Sequence, residues 1–373
     1  MIFPLRGSLR SESLRWSSVL SSVLSRSDKG LILRSESTDV FQNLALEDWI
    51  DSNLNLQCRH VLLLWRNRPS VVIGRHQNPW TECNLPAMRR ACVPLARRRS
   101  GGGTVYHDLG NLNLTFFTSK KNYDRRRNLK VVTEALRRLR PLLDVQDTER
   151  FDIVLNKHYK ISGTASRLGR TTSFHHCTLL HSADGSALSH MLSPSCPGIL
   201  SNATPSVPSR VTNLTDHAPS LQWEELLEGL EAQYRTEFGC SAPSVKVDPS
   251  DEAAFPGISK MAADLRAWDW TFGKTPKFSV DVELLLSDDQ VPSRCSAHLQ
   301  VEVRGGAIHS CRLDVPPDWL SEQLSVQLSN TLIGQRFCPH RAMDATGELV
   351  LSERGTPQRR LKNLCDALMT AMG

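Results

Sequence analysis

The residues with the strongest chemical potential stand together as Arg97-Arg98-Arg99-Ser100-Gly101-Gly102-Gly103-Thr104-Val105-Tyr106-His107-Asp108. Consecutive glycines open backbone geometries closed to other residues and let main-chain N–H groups approach a ligand. Successive N–H groups in such a turn form a concave anion site. Arginine adds a planar, permanent charge suited to phosphate or carboxylate. The segment has neither the G-K-[ST] of a Walker loop nor G-x-G-x-x-G. A flexible loop beside a solvated basic run is the competing reading. The second segment is Lys160-Ile161-Ser162-Gly163-Thr164-Ala165. A lysine followed by small residues can lie against a narrow ligand and present one cation to it. A positioned ammonium stabilises the charge that grows on an acyl oxygen during transfer, although a lone strand lysine is more often a solvated side chain. From these residues alone the chain reads as an anion-binding enzyme.

Other reactive residues carry less. His175, His176 and His181 lie in one segment, but strand alternation sends neighbours to opposite faces, so no metal site is expected. The ten cysteines form no C-x-x-C pair and read as reduced, mostly buried thiols. Arg125-Arg126-Arg127 repeats the basic theme, which makes a nucleic-acid patch a rival. No aromatic-interleaved RNA module accompanies it.

The elements that must hold these residues are legible in outline. Val40, Leu44, Leu46 and Trp49 share a helical period behind Asp39, a suitable N-cap. Val61–Trp65 and Ser70–Ile73 read as strands split by Pro69, Leu85–Arg90 as a short helix, and Leu95–Arg98 as a strand entering the glycines. Asn113–Thr118 is a further strand and Leu129–Leu139 an amphipathic helix. Phe151–Leu155 and Tyr159–Ser162 pair around Asn156-Lys157-His158 as a hairpin, and Phe174–His181 is another strand. Ser193–Pro208 reads as a long, functional loop. Leu221–Phe238 is a helix and Ser241–Pro249 a linker-like boundary. Beyond it strands (Phe278–Leu285, His298–Val303) mix with helices (Leu320–Leu332, Arg360–Met372), and Gly305-Gly306 suits a hairpin turn. The fold class is α+β with a boundary near residue 245.

Of 373 residues, 40% are hydrophobic and 23% charged, with a net charge of +6, ordinary for a globular chain. No apolar run approaches the ~20 residues of a membrane span, so no membrane partner is expected. Residues 1–26 set Arg6, Arg10, Arg15 and Arg26 against Glu12 alone, with many serines. Arg-rich, Ser-rich, acid-poor and amphipathic is the composition of a mitochondrial transit peptide.

Arg98 through Asn113, read with Lys160–Ala165 and Ser206–Leu214, resembles the lipoate–protein ligase A family, most nearly its mitochondrial lipoyltransferases. Val71–Asn78 and Gly273–Phe278 add support, and the likeness spans about residues 31–372. It implies a biotin/lipoate-ligase-like catalytic domain with mixed sheets flanked by helices over 27–245. A small α+β accessory domain would occupy 246–373. On this resemblance Arg98, Ser100, Gly101, Gly102 and Gly103 form the loop around the acyl chain and its activated carboxyl, continued by Tyr106 and His107. Lys160 contacts the acyl carbonyl and the adenylate phosphate. Arg150, Asp152 and Thr178 line the nucleotide or acyl junction, Val207 and Ser209 lie in the adenylate-binding loop, and Arg75 joins the binding set. The nucleophile is the neutral amine of an acceptor lysine. Its reference pKa of ~10.4 leaves little of it unprotonated, and Lys160 would favour proton loss by repulsion.

Two departures matter. ATP-using ligases show Arg-Asn-Asp where this chain has Arg150-Phe151-Asp152, and tend to carry arginine at Pro208. Losing a polar group and a cation weakens the pyrophosphate-releasing step, so transfer from lipoyl-AMP or from a lipoylated glycine-cleavage H protein is expected. The acceptors would be E2 lipoyl domains of 2-oxoacid dehydrogenase complexes in the mitochondrial matrix. No tightly bound cofactor is expected, and Mg²⁺ only if ATP activation occurs. Thr172 stands where related octanoyltransferases place a cysteine, and Cys177 reads as a packed core residue rather than an acyl carrier. The expected state is a monomer that binds no nucleic acid. The alternatives are a complete ATP-dependent lipoate ligase and a non-catalytic nucleic-acid-binding relative.

Overall fold

The computed structural model describes residues 30–241, 243–288 and 291–373; the transit-peptide segment 1–26 lies outside them. The chain forms two compact units, each drawing on separated segments. The first runs to Gly74 and resumes over Ala96–Leu188 and Val207–Arg266. Its main sheet comprises β1 (Gly30–Ser35), β2 (His60–Trp65), β6 (Asn111–Ser119), β10 (Thr164–Leu168), β11 (Thr172–Leu180) and β13 (Val245–Val247). Their order is β10-β11-β6-β2-β1-β13. β1 is parallel to both β2 and β13, and the remaining pairs are antiparallel. The linker reading of Ser241–Pro249 is thereby corrected. Three of its residues form an edge strand, too short for any periodicity to announce.

Alternation along the strands sorts the two faces. Ile32, Leu62, Leu64, Leu114 and Cys177 join a core with helices Arg125–Leu139 and Trp223–Phe238. Toward the other face lies α1 (Val40–Asn53), whose Asp39 cap accepts from Phe41 and Gln42 N–H at 2.9 Å each, as its sequence predicts. Two small sheets complete the unit. One has the order β4-β3-β5 and comprises β3 (Ser70–Ile73), β4 (Leu95–Arg97) and β5 (Val105–His107). The other joins β7 (Val145–Asp147), β8 (Ile153–Leu155) and β9 (Tyr159–Ser162).

The second unit gathers Arg75–Leu95, Ser189–Ser206 and Ala267–Gly373. Its sheet has β14 (Phe278–Asp288), β15 (Val291–Arg304) and β16 (Ala307–Asp314) beside β12 (Ile199–Ser201). The long Ser193–Pro208 stretch is therefore not wholly loop. Gly305 and Gly306, both at positive φ, make the predicted turn from β15 to β16. Trp80, Phe278 and Phe337 meet in its core with ring centroids 5.1–5.6 Å apart. The mixture of sheets and helices makes the fold α+β.

Candidate active site

Lys160 owes its position to a two-residue turn. Asn156 and Lys157 sit at φ 50° and 64°, the left-handed pair that closes a hairpin whose twist matches its strands. β8 and β9 then pair antiparallel, with Val154 opposite Lys160. On its outer edge the Lys160 N–H donates to Arg210 O at 2.8 Å, and Thr212 N–H donates to Lys160 O at 3.1 Å. Arg210–Thr212 are thus laid against the lysine as a short parallel bridge at Val211. The Lys160 ammonium pairs with Asp152 Oδ1 at 2.9 Å, both side chains being about one-fifth exposed. It lies over Gly163, where a Cβ would come within 3.1 Å of Cε and 3.3 Å of Nζ. Gly163 N–H in turn donates to Thr178 Oγ1 at 3.1 Å. Lys160, Asp152 and Thr178 are one cluster, and the absent side chain at 163 is what lets the lysine fold down.

The triple glycine abuts β10, the strand that begins just after Gly163. At Gly102, φ is +88°, and a Cβ there would meet Arg98 Nη2 at 2.9 Å, Ala165 Cβ at 3.1 Å and Thr164 O at 3.6 Å. The turn is wound around the Arg98 side chain. Nε donates to Ser100 Oγ at 3.1 Å, and Nη2 donates to Gly101 O at 2.6 Å and Gly103 O at 2.7 Å. Nη1 reaches Val72 O at 3.2 Å. Burial lowers the Arg98 pKa to about 10 while Glu47 opposes the fall, so the guanidinium stays charged near neutrality. The arginine run is not a phosphate-facing stripe. Arg97 is buried and donates to Gly74 O, Arg98 shapes the loop from within, and Arg99 pairs with Asp48 at 2.7 Å. Sequence shows the charge of such residues but not which way they turn.

Beneath the turn lies a buried polar and aromatic cluster that sequence reasoning largely missed. Trp65 Nε1–H donates to Thr115 Oγ1 at 3.0 Å, and that hydroxyl donates to Glu47 Oε1 at 2.7 Å. His176 Nδ1 lies 3.1 Å from the same carboxylate oxygen. The rings of His107 and His176 flank Trp65 edge-on at 5.9 and 5.2 Å. Asn43 donates to Asn67 Oδ1, which turns the Asn67 amide N–H toward His107 Nδ1 at 3.0 Å. That leaves the proton on Nε2, and Nε2 is buried without a partner among the described residues. Burial and the neighbouring His176 and Arg98 hold His107 well below its usual pKa, so it is neutral. Ser162 Oγ is buried and unpartnered in the same way. Unmet buried donors are uncommon and invite a ligand acceptor. The available signal was Glu47, an acid on the apolar stripe of α1.

The other predicted residues fall as follows. Ser100 is buried, and Tyr106 is buried with its phenol pushed up by burial and by Asp108 and Asp184. Arg150 is exposed and Phe151 stands at φ 64°. Val207 and Ser209 are exposed just ahead of the Val211 bridge. Arg75 belongs to the second unit. Cys177 is fully buried, its Sγ 3.6 Å from His175 Nε2, and burial pushes its thiol far up. Burial also lowers His175 to about 3, so it makes a poor proton acceptor for that thiol. His181 is bound to Leu221 O at 2.9 Å, and no metal-holding group of side chains occurs among the described residues.

A cation folded over Gly163, close to the residues that the Gly102 turn abuts, can bind an acyl phosphate and stabilise charge on its carbonyl. Comparisons with known proteins agree with that chemistry. Residues 39–235 match the lipoyl protein ligase A/B catalytic domain. The chain is 47% identical over 348 residues to the mitochondrial lipoyl amidotransferase LIPT1 of Homo sapiens, covering 92% of each. Among solved structures, P. falciparum LipL1 in complex with lipoate superposes with a TM-score of 0.57 at 23% identity, covering 91% of this chain and 99% of that one. A bi-partite lipoate protein ligase studied with its E2 lipoyl domain, from Thermoplasma acidophilum, gives a TM-score of 0.54 at 24% identity. It covers 65% of this chain and 96% of its own.

Proposed function

The chain belongs to the lipoyl protein ligase A/B catalytic family, and on that premise we propose that it is an acyltransferase moving a lipoyl group onto the lysine of E2 lipoyl domains of 2-oxoacid dehydrogenase complexes. The mitochondrial relative and the amphipathic, Arg-rich residues 1–26 support a place in the mitochondrion, and we assign the matrix. One observation carries the reading. The Lys160 ammonium lies over Gly163, and the Gly102 turn abuts Thr164 and Ala165, the next two residues, which open β10. Their closeness supports a single acyl-phosphate site shared by the cation and the glycine turn.

The proposed donor is lipoyl-AMP. Its phosphate and acyl oxygen would meet Lys160 and the N–H groups of Gly101–Gly103, with Thr178 and Asp152 alongside. Val207 and Ser209 would receive the adenine, while Tyr106 and His107 wall the acyl chain. The acceptor lysine's neutral amine attacks the acyl carbon, the carbon–oxygen bond of the mixed anhydride breaks, and AMP leaves with the electron pair. The amine's surplus proton passes to solvent. Lys160 compensates the oxyanion, and its charge favours a neutral amine nearby. Arg98 contributes by fixing the turn rather than by touching ligand.

Phe151 and Pro208 stand where ATP-using ligases place polar and cationic groups, which supports transfer without pyrophosphate release, Mg²⁺ entering only if ATP is used. A lipoylated H protein is the second proposed donor, the working unit a monomer, and the accessory role falls to the second unit, which holds Ala267–Gly373. The test supplies apo lipoyl domain with lipoyl-AMP, lipoate plus ATP, or lipoylated H protein in turn. Transfer in the first or third arm without pyrophosphate release in the second is expected, and Lys160→Ala should lose it. A full-rate Lys160→Ala enzyme refutes the role of the cation. Stoichiometric pyrophosphate from free lipoate and ATP marks a complete ligase instead.

A further inference from the structure

The three arginines after Asp124, grouped by sequence into one basic patch, do three different things. Arg127 pairs with Glu237 at 3.0 Å, and Arg126 reaches Asp147 at 3.5 Å. Arg125 lays its guanidinium over the Phe151 ring at 3.9 Å, and its Nη2 donates to Thr164 Oγ1 at 2.9 Å. Its Nε is buried with no partner among the described residues. Arg125 therefore touches two segments at once, the turn that carries Asp152 and the strand that follows Gly163.

Phe151 sits at φ 64°, a conformation that bulky L-residues rarely adopt and that persists only where surrounding contacts hold it. Those contacts are local and specific. Phe151 N–H donates to Thr148 O at 2.9 Å, Asp152 N–H donates to Thr148 Oγ1 at 3.1 Å, and the ring is covered by Arg125 with Arg126 at 5.6 Å. An aromatic face is needed for the stack, and a smaller side chain would sit in the turn without it.

We propose that Arg125, stacked on Phe151 and bonded to Thr164, is a positioning residue that holds the Asp152 turn against the start of β10, next to Gly163, and so fixes the aim of the Lys160 ammonium during lipoyl transfer. The inference rests on the proposed transfer activity but concerns a different pair of residues. It gives the Phe151 departure a purpose beyond the loss of a polar group. The ring recruits a cation into a bracing role that an asparagine at 151 would leave unfilled.

The experiment uses the full chain and two readouts. Single-turnover transfer from lipoyl-AMP to apo lipoyl domain is measured for Phe151→Tyr, Phe151→Leu, Arg125→Lys and Arg125→Gln, each also in a Lys160→Ala background. Lys160 reactivity is measured separately by competitive acetylation with acetic anhydride and mass spectrometry, which requires no transfer activity. Phe151→Leu keeps apolar volume without a ring face, and Phe151→Tyr keeps the face. The Leu and Gln variants should lose on the order of tenfold in kcat with KM for the lipoyl domain little changed. Tyr should recover most of that rate. In the Lys160→Ala background the same changes should have no further effect, because residues acting through one group are not additive. Acetylation of Lys160 should rise severalfold in Leu and Gln but not in Tyr. Equal losses with and without Lys160, or a Leu variant with parental rate and parental acetylation, overturn the inference. If the parent protein transfers no lipoyl group at all, the functional reading fails and the acetylation pattern alone decides for or against the brace. Should Arg125→Gln fail to fold, Arg125→Lys, which keeps charge but loses the planar stack, carries the same expectation.

Discussion

Replacing Gly102 with alanine perturbs the site at a point where the consequence can be worked out. The residue sits at φ +88°, and the new Cβ would stand 2.9 Å from Arg98 Nη2 and 3.1 Å from Ala165 Cβ. Left-handed backbone costs an L-residue about 1–2 kcal/mol. The guanidinium cannot retreat, since Nη1 is already bonded to Val72 O behind it and the side chain is almost wholly buried. It must therefore give up one of its short bonds to Gly101 O or Gly103 O, a charge-assisted contact worth roughly 1.5–3 kcal/mol. Together these should destabilise the first unit by about 2.5–5 kcal/mol, a fall in melting temperature on the order of 10 °C. Gly101→Ala is the matched control, because a Cβ there has nothing within 4 Å. It should leave the melting temperature unchanged, and any loss of transfer it causes would mark ligand contact. Differential scanning fluorimetry and the lipoyl-AMP transfer assay on both variants check this. A Gly102→Ala protein that melts with the parent and transfers at the parental rate would refute the account of a turn wound around Arg98.

Gly163→Ala should displace the Lys160 ammonium, since its Cβ would lie 3.3 Å from Nζ. Transfer should fall about tenfold with little change in melting, because a flexible side-chain end can move where backbone cannot; a parental rate would count against the packing. Cys177→Ala should transfer within about twofold of the parent, and a trapped enzyme should carry no acyl adduct on Cys177, whose thiol burial holds protonated. A lipoyl mass shift on that residue would reverse the mechanism. Burial raises Asp48 from 3.8 to about 6, so between those values the folded chain holds a proton that the unfolded chain releases. Its contribution to stability is present below the lower value and declines as pH rises toward the upper one. Asp48→Asn removes this, and urea unfolding across that window should show stability falling more steeply on acidification, by about 1.4 kcal/mol per pH unit. An unchanged slope would mean that Asp48 keeps its ordinary titration.

What could be read in the sequence was whatever one short segment decides alone. Asp39 before an apolar helical period gave the start of α1, and Asn156-Lys157 gave the hairpin under Lys160. The helix after Asp124 begins four residues earlier than its apolar stripe, because its first turn, Arg125–Asn128, carries polar side chains that hide the period. Val245–Val247 and Ile199–Ser201 were lost for a different reason. Three residues cannot display alternation, and their pairing partners lie far along the chain. The buried cluster under the glycine turn escaped because Glu47 and His176 are 129 residues apart and meet only once the sheet is built. The arginines misled because charge is visible in a sequence and direction is not.

The late arrival of β13 has a consequence for how the protein can be made. Val245 pairs with Leu33 across more than two hundred intervening residues. Until it emerges, the outer edge of β1 has no neighbour, although Leu31, Ile32 and Leu33 beside it are wholly apolar. An unprotected edge of that kind is a template for association between chains. Polypeptide threading into an organelle, or a fragment cut short to isolate the catalytic residues, would pass through or remain in that state. A usable fragment must therefore reach past Val247, and a chaperone that masks β1 is the kind of helper this topology calls for during synthesis or import.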